Sequence, residues 1–83
     1  MKKEIVVRTQ NGNGGPVTVA GRWASGPRNL LAAIQVAREM IDEGVSGSRT
    51  WIEVGGKVLS NWGPDSWPNN MEEARENLEE MFN

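Results

Sequence analysis

The sequence contains no cysteine, no histidine and no tyrosine. Without cysteine, a small fold has neither disulfides nor thiolate metal sites to hold it, which fits a reducing compartment. Without histidine as well, the common zinc sets, the Ser-His-Asp and Cys-His nucleophile systems and the usual proton shuttle near neutral pH are excluded as side-chain chemistry. Carboxylates, arginine and lysine remain, and no catalytic carboxylate pair stands out. The chain therefore reads as a non-enzyme, with no catalytic residue, metal ligand or cofactor assigned. Long apolar runs are also missing: nothing approaches the roughly 20 residues of a membrane span. Met1-Lys2-Lys3 leads into a strand-like segment rather than a secretory apolar region, so a cytoplasmic protein is expected.

What is present is 83 residues, enough for one domain with a small core. The net charge of −2 hides an asymmetry along the chain. Through Lys57, eight basic residues face five acidic ones; after it, Arg75 alone opposes Asp65, Glu72, Glu73, Glu76, Glu79 and Glu80.

Trp51–Val54 and Lys57–Ser60 flank Gly55-Gly56, a pair free to take the positive φ of a tight primed turn. Counting outward from that turn pairs Val54 with Lys57, Glu53 with Val58, Ile52 with Leu59, Trp51 with Ser60 and Arg49 with Trp62. Ile52, Val54 and Leu59 then share one face, and Trp51, Val58 and Trp62 share the other. A first hairpin is expected from the alternating Glu4–Thr9, the loop Asn11–Pro16 and a second strand Val17–Trp23. Plain alternation puts Val17, Val19 and Trp23 on one side of that strand and Thr18, Ala20 and Arg22 on the other. The glycines of the loop are not followed by a helix start, so a phosphate-cradling reading lacks its context.

Ser25-Gly26-Pro27 opens a helix that runs to about Glu43 and ends at Gly44. Leu30, Ile34, Ala37 and Ile41 form its apolar stripe, widened by Leu31, Ala33, Val36 and Met40, and it is the expected cover for Ile52, Val54 and Leu59. The stretch Asn61–Asn69 combines glycine and two prolines with two tryptophans, and is expected to pack down without regular structure. Asn70 and Glu73 form a capping-box variant in front of a second helix, with Met71, Ala74, Leu78 and Met81 or Phe82 as a narrow apolar stripe. Glu79 and Glu80 stand near its C-terminus, where the macrodipole disfavours anions. The order is ββαββα: an α+β domain with a four-stranded antiparallel or mixed sheet packed by the central helix, plus an acidic C-terminal helix.

Two groups are candidates for partner binding. One is Trp51, Trp62 and Trp67 with Arg49 and Lys57 nearby, since indoles beside cations serve both interfaces and base stacking; the alternative is that these tryptophans are core. The other is Glu72, Glu76, Glu79 and Glu80, which can imitate spaced phosphates and fill a basic groove; the alternative is a solvated helix face. From Val19 to Leu59, the succession Ala20–Pro27, a helix rich in alanine and methionine, and Val54–Leu59 resembles the plan of some small phage-encoded anti-CRISPR proteins of the type I systems. The resemblance covers about half the chain and stops before the acidic helix. It implies a non-enzymatic blocker of a bacterial defence effector and transfers no catalytic positions. Two other readings stand beside it: a nucleotide-sequestering module using Arg22, Arg49 and Trp51 around a pocket within one subunit or between subunits, and a structural or homodimerising domain. Direct nucleic-acid binding is disfavoured by the acidic balance.

Overall fold

The computed structural model describes residues 4–12, 14–44, 48–59 and 64–82. Strands β1 (Ile5–Gln10) and β2 (Val17–Trp23) are followed by helix α1 (Pro27–Glu43), strands β3 (Arg49–Val54) and β4 (Lys57–Val58), a single 3-10 turn at Pro64–Ser66 and helix α2 (Met71–Phe82). All strand pairs are antiparallel, in the order β2-β1-β3-β4. This is the expected ββαββα domain, with the mixed-sheet alternative removed. No helix among the described residues is long and apolar enough to cross a membrane.

The second hairpin turns at Gly55 (φ 58°) and Gly56 (φ 85°), both in the left-handed region that a primed turn demands. Its register is the expected one: Val54 pairs with Lys57, Glu53 with Val58, and the Leu59 N–H donates to the Ile52 carbonyl at 2.8 Å. The expected partners Ser60 and Trp62 lie outside the described residues.

Alternation along β1 and β3 sends Ile5, Val7, Ile52 and Val54 to one side, where α1 lies across the strands. With Leu59 and with Leu30, Ala33, Ile34 and Ala37 of α1, they form a core of nearly inaccessible side chains. Each large aliphatic member contributes roughly 1.5–3 kcal/mol of burial before entropy. Helix α2 packs along α1 and adds Ala74, with Leu78 and Met81 at the margin. Both helices therefore lie on the same side of the sheet.

Three expectations need correction. Val17 and Val19 do not share a face with Trp23. A bulge between Val7 and Arg8 pairs Val7 with Gly21 but Arg8 with Val19, so Ala20 is an extra residue. One extra residue reverses the alternation: Trp23 packs against the core, while Val17 and Val19 are 47% and 39% exposed on the opposite face. Ile41, assigned to the buried stripe, is 39% exposed in the last turn of α1. Met71 is likewise exposed, at the start of α2. Gly44 ends α1 as expected, in an extended conformation (φ −68°, ψ 149°) with its N–H donating to the Ile41 carbonyl at 3.3 Å, and a Cβ there would lie 3.0 Å from the Met40 carbonyl oxygen.

Candidate interaction surfaces

The two candidate groups are distributed over three places in the fold. Trp51 and Arg49 stand on the sheet face that neither helix covers. Trp67 is in the core, 3% exposed, and offers a partner almost no area. The alternative reading of Trp67 as a packing residue is the one the geometry supports. The Arg38 guanidinium carbon lies 5.8 Å from the Trp67 ring centroid, and Arg38 donates long hydrogen bonds of 3.4 Å to the Pro64 carbonyl and to Asn69 Oδ1. That set fastens the irregular 64–70 segment onto α1. Lys57 is on the helix side, with Nζ donating to the Met81 carbonyl at 3.1 Å, at the C-terminal end of α2. Trp62 is outside the described residues.

On the open face, Val6 is only 6% exposed although no helix lies over it. Its same-face neighbours are Glu4 and Arg8 along β1, Arg22 on β2 and Glu53 on β3. These four charges form two ion pairs, Arg8 Nε to Glu53 Oε2 at 2.9 Å and Arg22 Nη1 to Glu4 Oε1 at 2.8 Å, which close over Val6. Pairs this exposed stabilise the fold by less than about 1 kcal/mol each. Their effect here is to leave the face with matched charges. Glu53 Oε2 also accepts from Trp51 Nε1–H at 2.8 Å, so the indole is held in a fixed orientation and half-buried. Around this island stand exposed Val17, Val19 and Val58. The lattice of Arg8, Glu53 and Trp51 was not visible in the sequence, because it depends on the long-range register between β1 and β3.

The second surface is the outer side of the helix layer. In α2, Ala74 turns inward while Glu72, Glu76, Glu79 and Glu80 face solvent, and none of these four makes an ion pair among the described residues. The helix start has the expected cap: Asn70 Oδ1 accepts from the Glu73 N–H at 2.9 Å. The Glu73 carboxylate reaches one residue further back, accepting from the Asn69 N–H at 2.8 Å. Packing α2 beside α1 adds Glu39, Asp42, Glu43 and Asp65 to the same side. Residues 27–43 and 64–82 together carry nine carboxylates against Arg28, Arg38 and Arg75, a net of −6. Residues 4–23 and 48–59 carry four basic groups against Glu4 and Glu53, a net of +2. The protein thus has an acidic helix layer and a slightly basic sheet layer.

Arg22, Arg49 and Trp51, the residues of the ligand-module reading, all stand on the open sheet face. Arg22 is in register with Val6 and Arg49 with Gln10, four residues apart along β1, or about 13 Å. A groove of about 310 Å³ lies elsewhere, against α1, with Leu31, Ile34 and Pro68 beneath and Arg38, Glu39 and Asp42 at its rim. Among the described residues no group of three or more acidic side chains is arranged to hold a metal ion. No protein-family model matches the chain, and neither a curated protein nor a solved structure matches it.

Proposed function

We propose that this chain is a non-enzymatic, cytoplasmic inhibitor that acts by occupancy, laying its acidic helix layer into a basic groove of a nucleic-acid-handling effector of a bacterial defence system. The proposed manner of action is that of the anti-CRISPR proteins which Val19–Leu59 resembles. The observation that carries the reading is the separation of charge, with −6 on the residues of the helix layer, offset on that side only by Lys57, and the α2 carboxylates exposed. Five glutamates less Arg75 along the 12 residues of α2 place one net negative charge per roughly 4.5 Å of helix axis. A nucleic-acid strand carries one per about 3.4 Å, so α2 offers a basic groove a somewhat lower linear charge density of the same sign. Attraction of this kind speeds encounter and weakens with salt.

The test is affinity capture of the tagged protein from lysate of a bacterium that carries a type I effector complex, read by mass spectrometry. A stoichiometric partner with a basic groove is expected, and the double variant Glu76→Lys, Glu79→Lys should weaken its binding by about tenfold or more, since each reversal replaces an attraction with a repulsion. Recovery of the same partner at undiminished affinity by that variant would remove the acidic layer from the reading.

A further inference from the structure

The acidic layer leaves the opposite surface of the molecule without a role, and we propose that this open sheet face binds a second copy of the same chain, face to face about a two-fold axis. Charge disfavours a contact between helix layers. Two helix layers, each at −6, repel one another, and so does any pairing that brings them close. The open face carries Arg8, Arg22 and Arg49 against Glu4 and Glu53, nearly neutral, and four of these five are already matched in the pairs Arg8–Glu53 and Arg22–Glu4. A covering surface need supply no counter-charge to those four; Arg49, at the outer end of β3, is the one charge on the face outside these pairs among the described residues.

What the face has in surplus is apolar: Val17 and Val19 at one edge, Val58 at the other, and the fixed indole of Trp51 between them. An isologous contact matches such a set with itself, valines and indole of one copy against those of the other. Its size fits a reversible dimer. Three strands some 20 Å long and the two residues of β4, about 4.8 Å apart, offer roughly 300 Å² of projected area per copy, so two faces remove on the order of 700 Å² from water. That is the size of a weak contact, formed only at high concentration. The product is a four-layer particle with sheets inside and both acidic layers outside, able to engage two basic grooves at once.

Sedimentation equilibrium of the intact protein, from micromolar to millimolar concentration, tests this directly. The weight-average mass should rise with concentration from 9.1 kDa toward twice that value. Val19→Lys and Val58→Lys, each checked by circular dichroism for an unchanged fold, should both hold the protein at the monomer mass. Ile41→Lys, on the helix side, should leave the association intact. A wild-type mass that stays at the monomer value at millimolar concentration overturns the proposal. So does a dimer lost in Val19→Lys but kept in Val58→Lys, which would mean pairing through the β2 edge. A dimer altered by Glu76→Lys with Glu79→Lys would place the contact on the helix layer and overturns it as well.

Discussion

Trp67 and Trp51 show how differently one residue type is used within 83 residues. The Trp67 indole fills the junction between α1 and the 64–70 segment, with Arg38 above its ring. Trp51 lies on an open strand surface, positioned through its Nε1–H rather than by packing. Truncation should separate them in urea denaturation. Trp67→Ala should lose about 3–5 kcal/mol, the cost of emptying a buried aromatic site. Trp51→Ala should lose no more than about 1 kcal/mol, a strand-surface effect. Equal losses would mean that the sheet face is covered within the monomer. Gly21 is also a residue-scale device: a Cβ there would lie 2.6 Å from Trp23 Cη2, so glycine is what lets that indole fold back along β2.

Helix α2 is an element made of unfavourable parts that is stabilised at both ends. Its glutamates repel one another, and Glu79 and Glu80 oppose the macrodipole at the C-terminus. At the N-terminus, Asn70 and Glu73 satisfy the N–H groups of Glu73 and Asn69. At the C-terminus, the Lys57 ammonium supplies the cation that the helix itself lacks. Asn70→Ala should therefore cost about 1 kcal/mol, measured as a shift in the urea midpoint. Lys57→Glu should speed hydrogen exchange of the last-turn amides of α2 without changing protection in β1 or β3. Uniform protection loss across the sheet would show that Lys57 supports the core instead of the helix end.

For the whole molecule, the decisive fact is that both helices lie on the same side of one sheet. Carboxylates from α1, from Asp65 and from α2 are thereby collected into a layer at −6, and the folded state carries their mutual repulsion. Screening that repulsion should stabilise the fold. Raising NaCl from near zero to about 0.1 M brings the Debye length to about 10 Å and should raise Tm by a few degrees. The Glu76→Lys, Glu79→Lys variant should show a flatter salt dependence. A Tm that falls with salt would mean that the exposed Arg8–Glu53 and Arg22–Glu4 pairs outweigh the repulsion.

Local chemistry made much of the architecture legible in the residues themselves. The Gly55-Gly56 turn fixes the register of its hairpin, Pro27 and the stripe from Leu30 to Ala37 define α1, Asn70 and Glu73 begin α2, and the absence of histidine and cysteine narrows the chemistry. These features depend on neighbours within a turn or two of chain, where dihedral preference and periodicity decide. The pairing of β1 with β3, the bulge at Ala20, the burial of Trp67 and the side on which α2 packs belong to the tertiary structure. Each is chosen by burial and hydrogen bonding between segments distant in sequence, and no local propensity records that choice. The candidate surfaces follow from those long-range choices, which is why Trp51 and Trp67, grouped along the chain, stand one on the open sheet face and one in the core.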